Sequence, residues 1–186
     1  MAHQAKPQSF KNRDFFPSFR DCPADEWDER FFREDEPGIH CKQWCLLGEI
    51  IQADTIIRPR LVTKDYKGDS FVVAFYPDDE DDMPRILKDF KIMPLKLNEV
   101  MAMNKEVIEY TPAEGAPRRC HTCGEVKEGL DRCGGCTLFS YCNRECQVKA
   151  WNEKGHKRFC KALKNKNVRD MHFLDYDDSS DCVSFS

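Results

Sequence analysis

The feature that most constrains this chain is a set of cysteines and one histidine between residues 120 and 160, spaced C-x2-C-x9-C-x2-C-x5-C-x3-C-x9-H-x3-C. The segment has few aliphatic side chains and cannot build a large apolar core, so cross-links or bound metal must stabilise it. Its eight potential ligands fall into four close pairs, which are Cys120/Cys123, Cys133/Cys136, Cys142/Cys146 and His156/Cys160.

Tetrahedral zinc fits this spacing best. Each zinc ion takes four thiolate or imidazole ligands, so eight ligands make two closed structural sites with no position left for a catalytic water. Disulfides fit poorly, because seven thiols are an odd number and a histidine joins the set. Cysteine catalysis needs one activated thiol rather than matched pairs. We therefore predict two bound Zn²⁺ ions and expect a chelator to unfold the segment.

Composition and charge exclude some classes of protein. The chain has 186 residues, 40% hydrophobic side chains and a formal net charge of −4. It has no apolar run of membrane-spanning length and no apolar signal core at its N-terminus, so we expect a soluble, intracellular protein without a membrane partner. The nucleus and the cytoplasm both fit. The cysteines would then meet a reducing environment, which favours metal binding over disulfides.

The pattern along the chain predicts an α+β protein with five segments. Residues 1–36 are a polar and aromatic extension in which the run DEWDERFFREDE indicates a short helix, and residues 37–112 are rich in β-strand signals. Residues 113–119 read as a proline- and glycine-containing linker. Residues 120–160 are the zinc-binding segment, and residues 161–186 hold a short basic helix end followed by an acidic tail.

The β-rich segment predicts a small barrel-like domain. HCKQWCLLGEIIQA indicates a buried strand, RPRLVTKDYKGDSFVVAFYP a hairpin, and DDEDDMPRILKDFKIMP an acidic break and a short helix. NEVMAMN and KEVIEYT indicate two further strands, which gives the element order of a five-stranded OB barrel. The phrase LVTKDYKGDSFVVAFY resembles the second and third strands of OB folds of the replication-protein type, and LKLNEVMAMNKE their fourth. An unrelated small barrel or an open sheet is the alternative.

An OB barrel would permit a second kind of partner. Arg58, Arg60 and Lys64 would project to one side of the second strand, with Phe75 or Tyr76 nearby. Such a face holds single-stranded nucleic acid by charge and stacking, although an ordinary solvated face fits the acidic balance of this half of the chain better.

The zinc-binding segment resembles the MYND-type zinc finger. The resemblance rests on CHTCG, CGGC, SYCNRECQ, Trp151 and GHKRFC, and it covers residues 120–160. It implies interleaved coordination, in which one zinc is bound by Cys120, Cys123, Cys142 and Cys146 and the other by Cys133, Cys136, His156 and Cys160.

The same resemblance implies a protein-interaction module that binds short, often proline-rich peptides. The family's groove residues correspond to Gln147 and Trp151, whose amide and indole suit a peptide backbone and proline rings. In the alternative reading Trp151 only caps the small core and Gln147 is solvated. One departure is that four residues, NEKG, separate Trp151 from His156, where the family has two or three.

Other classes of function have less support in the sequence. MYND fingers also interrupt the SET domain of lysine methyltransferases, but this chain has no Asn-His-Ser-Cys-type segment and no glycine-rich cofactor motif, so we predict that it is not an enzyme. The finger carries 12 basic against 5 acidic side chains over residues 117–167, and part of this excess offsets seven zinc-bound thiolates. His40, Cys41 and Cys45 have no fourth ligand nearby and do not predict a third metal site.

Overall fold

The computed structural model describes residues 6–23, 28–36, 39–54, 60–75, 95–113 and 115–177. The chain divides into two compact units, Arg13–Leu97 and Met1–Asn12 with Asn98–Ser186. Strands β1 (Gly48–Asp54), β2 (Arg60–Asp65) and β3 (Ser70–Ala74) lie in the first unit. Helix α1 (Leu97–Tyr110) leads into the second unit, which also holds strands β4 (Asp131–Arg132) and β5 (Ser140–Tyr141) and helices α2 (Arg144–Glu153), α3 (His156–Leu163) and α4 (Lys166–Asp170).

The first unit is built on an antiparallel sheet in the order β1-β2-β3. The predicted hairpin is confirmed, since β2 pairs with β3 and Val62 lies opposite Val72. Gly68 occupies the turn at φ +92°, a conformation that costs glycine little. The buried Asp65 carboxylate accepts the backbone N–H groups of Lys67 and Asp69 at 2.9 and 3.0 Å, which fixes the turn.

Side chains alternate across this hairpin. Leu61, Thr63 and Phe71 are buried on one face, and the ring of Phe19 stacks on Phe71 with centroids 4.5 Å apart. Val72 points the other way and is exposed. The alternation is what a strand pattern with a period of two predicts for a sheet with one buried face.

The barrel or OB fold is not confirmed. In the described part of the chain the three strands of the first unit form an open sheet. The first strand begins at Gly48 rather than at His40, and residues 39–47 are half-buried or exposed coil. The short helix expected within residues 77–94 lies outside the described residues.

The two strands predicted after that helix are wrong, because α1 occupies their place. Its buried side chains are Val100, Met103, Asn104 and Val107, a spacing of three and four residues that belongs to one face of a helix. This helical period is not visible when NEVMAMN and KEVIEYT are considered as two separate strands. Glutamate, methionine, alanine and lysine between these positions also favour a helix over a strand.

The helix expected around DEWDERFFREDE is absent from its described part, residues 28–36, which form turns. Phe31 is nevertheless buried, and its ring meets Trp44 edge-on at 5.6 Å. Trp27 lies outside the described residues.

The second unit joins sequence-distant segments around α1. The buried Asn104 accepts the N–H of Phe10 at 2.9 Å and donates to the carbonyl of Gln8 at 2.8 Å. The Gln8 N–H donates to the carbonyl of His172 at 2.7 Å, and the ring of His172 packs on Phe10 at 4.6 Å. Residues 98–110 of α1 thus belong to the same compact unit as the cysteine-rich segment. The sequence analysis had assigned residues 98–112 to the β-rich domain, and its domain boundaries remain predictions.

Among the described residues no helix is long and apolar enough to cross a membrane.

Candidate metal centres

The eight predicted ligands come together as two separate groups of four. Within each group the ligand atoms lie within 4.8 Å of one another. The first site consists of Cys120, Cys123, Cys142 and Cys146, and the second site of Cys133, Cys136, His156 and Cys160. This is the interleaved arrangement that the resemblance implied, and the described residues contain no third group of this kind.

The first site is held by a turn and by the start of a helix. Cys120 and Cys123 flank a tight turn in which the N–H of Gly124 donates to the carbonyl of Cys120 at 2.9 Å. Cys142 follows β5, and Cys146 lies in the first turn of α2. Asn143 caps that helix, since its Oδ1 accepts the N–H of Cys146 at 2.9 Å. The cap fixes where the helix begins and thereby the position of Cys146.

The second site uses a second turn and a different helix. The N–H of Thr137 donates to the carbonyl of Cys133 at 2.9 Å, which closes the turn that carries Cys133 and Cys136. His156 and Cys160 lie one turn apart on α3. Gly155 precedes them at φ +71°, so the four residues NEKG include the left-handed residue at which the chain leaves α2 and enters α3.

The spacing of the ligand atoms fits tetrahedral zinc. With zinc–sulfur bonds of roughly 2.3 Å, two sulfurs on one zinc lie about 3.8 Å apart and a sulfur and a nitrogen about 3.5 Å apart. The Sγ atoms of Cys123 and Cys142 are 3.6 Å apart, and those of Cys133 and Cys160 are 3.7 Å apart. Nε2 of His156 lies 3.3 Å from Sγ of Cys133. Each group therefore has the dimensions of a coordination shell and could hold one zinc ion.

The electrostatics of the sites favour a bound cation. Burial lowers the pKa of His156 to about 4, which keeps its imidazole neutral and able to ligate. Burial raises the pKa of Cys160 to about 12, so a divalent cation is needed to hold this thiolate at neutral pH. Burial also raises the pKa of Cys120, but backbone N–H groups, led by that of Cys123, outweigh it and lower the pKa to about 6.

Aromatic side chains form the small core beside the second site. The ring of His156 meets Phe139 at 5.0 Å and Tyr141 at 5.7 Å, both edge-on. Tyr141 is 1% exposed, as expected for a residue that packs against the metal centres. The ring of Trp151 also meets that of His156 edge-on, with centroids 5.9 Å apart.

Helix α1 supplies contacts to the finger that the sequence reasoning missed. Glu106 faces the buried His121, with its Oε2 at 2.7 Å from Nε2. Glu99 pairs with Arg158 through an ion pair and a hydrogen bond, and the ring of Tyr110 meets His121 edge-on at 4.8 Å. The sequence signal that could have predicted these contacts is the pair of acidic residues, Glu99 and Glu106, on an amphipathic helix that directly precedes the basic segment 117–167.

The two candidate peptide-binding residues share one helix. Gln147 and Trp151 are four residues apart on α2, so their side chains lie on the same face. Gln147 is half-buried, and Trp151 is 38% exposed although it is a large aromatic residue.

The other candidate groups remain apart from the metal centres. Cys41 and Cys45 are half-buried before β1, and burial raises the pKa of Cys45 to about 11. Arg60 and Lys64 are exposed on β2, but Arg58 and Tyr76 lie outside the described residues, as does the acidic run at 78–82. Nucleic-acid binding by this sheet stays a prediction.

Several basic residues of the finger have structural partners. Arg158 pairs with Glu99, and Nζ of Lys154 donates to the carbonyl of His121 at 2.9 Å. Lys166 lies 3.9 Å from Asp170 on α4. These contacts account for part of the basic charge without nucleic acid.

The fold and the ligand set define a compact protein module with two interleaved Cys₄ and Cys₃His zinc sites. Residues 120–160 match the MYND finger family, so the chain contains a MYND finger. Its metal is structural, because each site has four protein ligands.

Curated relatives match mainly over this finger. Histone-lysine N-methyltransferase SMYD1 from Homo sapiens is 45% identical over 56 residues, which cover 27% of this chain and 11% of that protein. Histone-lysine N-methyltransferase SMYD3 from Homo sapiens is 37% identical over 79 residues, which cover 42% of this chain and 18% of that protein. Tudor domain-containing protein 1 from Oryzias latipes is 39% identical over 49 residues, which cover 26% of this chain and 4% of that protein. The chain thus spans less than a fifth of the length of these relatives. No solved structure matches the chain significantly.

Proposed function

We propose that this protein is a non-enzymatic adaptor whose MYND finger binds a proline-rich peptide of a protein partner. The observation that carries the proposal is the exposure of Trp151. Its indole meets the ring of the zinc ligand His156 in an edge-to-face contact with centroids 5.9 Å apart, while 38% of the residue stays in solvent. A tryptophan that is anchored by one ring contact and remains partly exposed suits the stacking of proline rings.

The neighbours of Trp151 on α2 extend this surface. Val148 is 49% exposed and lies three residues before Trp151, so the two apolar side chains adjoin. Gln147 is one turn before Trp151 and offers an amide that both donates to and accepts from a peptide backbone. The zinc sites hold this helix at both ends, since Cys146 lies in its first turn and His156 follows it closely.

The test compares Trp151→Ala with a matched control on the same helix. Lys149→Ala alters the opposite face, where Lys149 makes a long, exposed ion pair with Glu153. Fluorescent proline-rich peptides chosen from an array would be titrated against each protein, with zinc content read by native mass spectrometry. We expect Trp151→Ala to keep both zinc ions and to lose about 2 kcal/mol of binding free energy, and Lys149→Ala to change little. Equal binding by Trp151→Ala and the unmodified protein would end the groove assignment.

Affinity capture from a nuclease-treated lysate would then name the partner. A protein retained by the unmodified chain and lost with Trp151→Ala supports the adaptor. Capture that vanishes on nuclease treatment and ignores Trp151 would move the function to the β-rich unit and nucleic acid.

The names of the SMYD relatives favour one other candidate, lysine methylation by a longer protein that carries this finger. The shared region is chiefly the finger, which has closed metal sites and supplies no group for methyl transfer. Incubating the chain with histones and radiolabelled S-adenosylmethionine tests whether the chain itself transfers a methyl group. Labelled histone that depends on the chain would overturn the non-enzymatic proposal.

A further inference from the structure

The two metal sites differ sharply in their access to solvent. All four ligands of the second site are buried, and none is more than 3% exposed. In the first site only Cys120 is buried; Cys142 and Cys146 are half-buried, and Cys123 is exposed. Oxidants reach exposed thiolates far faster than buried ones, so the first site is the vulnerable one.

The exposed thiol also has a partner at short range. Sγ of Cys123 lies 3.6 Å from Sγ of Cys142, and a disulfide needs the two sulfurs to approach to roughly 2.05 Å. Both residues lie at the margins of regular structure, Cys123 in a turn and Cys142 between β5 and the cap residue Asn143. The matching pair in the second site, Cys133 and Cys160, is 3.7 Å apart, but both residues are buried.

We propose that Cys123 is a site of oxidation by peroxides, and that a Cys123–Cys142 disulfide then forms and releases zinc from the first site while the second site keeps its metal. The proposal depends on zinc binding and is independent of peptide binding by Trp151.

The chemistry balances with hydrogen peroxide as the oxidant. The Cys123 thiolate attacks one peroxide oxygen, the O–O bond breaks, and Cys123 becomes a sulfenic acid as hydroxide leaves. The Cys142 thiolate then attacks the Cys123 sulfur, the S–O bond breaks, and a second hydroxide leaves. Two electrons pass from the two sulfurs to the peroxide, and two protons from solvent turn the hydroxides into water. Zinc loses two of its four ligands and dissociates.

Loss of zinc from the first site affects only one part of the finger, the N-terminal end of α2. Cys142 and Cys146 bracket Asn143, so loss of the first zinc frees the N-terminal end of α2. The second site still joins the Cys133–Cys136 turn to α3 and keeps Phe139 and Tyr141 packed. Reduction of the disulfide by a thiol, with zinc present, restores the first site.

The experiment uses the full chain loaded with two zinc ions, in which Cys22, Cys41, Cys45 and Cys182 are replaced by serine so that only finger thiols remain. Hydrogen peroxide is added in steps, released zinc is read with a chromogenic chelator, and thiols are mapped by differential alkylation and mass spectrometry. We expect one zinc equivalent to leave first, together with a Cys123–Cys142 disulfide, and the second to leave only at much higher peroxide.

Two substitutions test which residue reacts. Cys123→His keeps a zinc ligand but removes the reactive thiol, and we expect it to slow the first release about tenfold. Cys136→His makes the same exchange in the buried site and should leave the first release unchanged.

Three results would overturn the proposal: simultaneous release of both zinc ions, a Cys133–Cys160 disulfide appearing first, or an unaltered first release in Cys123→His. Because the order of release and the disulfide map are measured in a background with every ligand intact, the test holds even if a histidine variant fails to load zinc.

Discussion

The buried side chain of Asn104 offers the sharpest test of how the second unit is assembled. It is 3% exposed and links α1 to a segment 94 to 96 residues away, through bonds to the N–H of Phe10 and the carbonyl of Gln8. Asn104→Leu keeps a similar side-chain volume and removes both hydrogen bonds. The substitution leaves one backbone donor and one backbone acceptor without their partner.

The size of the effect follows from these two groups. A buried polar group that loses its partner costs about 1–3 kcal/mol, so two groups cost about 2–6 kcal/mol. Leucine buries more apolar surface than asparagine, which raises the free energy of unfolding by about 1 kcal/mol. We expect the free energy of unfolding of this unit to fall by about 1–5 kcal/mol.

Denaturant unfolding followed by circular dichroism measures the loss, and hydrogen exchange at the Phe10 amide locates it. Lys105→Leu is the control, because Lys105 is the next residue on α1 and is exposed. We expect it to change the stability by less than about 0.5 kcal/mol. A loss below about 1 kcal/mol for Asn104→Leu, with unchanged exchange at Phe10, would refute the reasoning.

Three further predictions concern the metal centres and their surroundings. Gly135→Ala should weaken zinc binding at the second site about 10–100-fold, because the new Cβ would lie 2.7 Å from Sγ of Cys160. Gly134→Ala is the control, since its new Cβ would meet nothing within 4 Å, and it should bind zinc as the unmodified protein does. A competition titration with a chelator measures both affinities. His172 should make the unit less stable in acid, because burial lowers its pKa to about 4 and between pH 6.5 and 4 only the unfolded chain takes up this proton. Its contribution to the free energy of unfolding is lost as the pH drops, by up to about 3 kcal/mol, so His172→Phe should reduce the acid slope in urea melts. Excess chelator should abolish the thermal unfolding transition of the finger, and an unchanged melt would show that the metal does not stabilise it.

Local spacing was enough to predict the eight ligands, whereas their division into two interleaved sites was implied by the resemblance to the MYND finger. Two cysteines separated by two residues can converge on one ion with little help from the rest of the chain, and His156 and Cys160 need only one helical turn. The hairpin was predictable for the same reason, since Gly68 and the alternating residues on either side act over a few positions.

Longer-range structure was not predictable in this way. Residues 98–110 contain valines, methionines and isoleucine that suit a strand as well as a helix, and the choice was made by burying Val100, Met103 and Val107 on one face. No local pattern pairs Asn104 with Phe10, because the two residues lie 94 positions apart in the sequence.

The sequence by itself determined the eight ligands, their chemistry and the family of the finger, because zinc coordination depends on residue type and short spacing. The tertiary structure alone decided that Trp151 stays partly exposed and which metal site is buried. Both outcomes depend on how α2, α3 and the aromatic core pack around His156, and exposure is a property of that packing rather than of any residue.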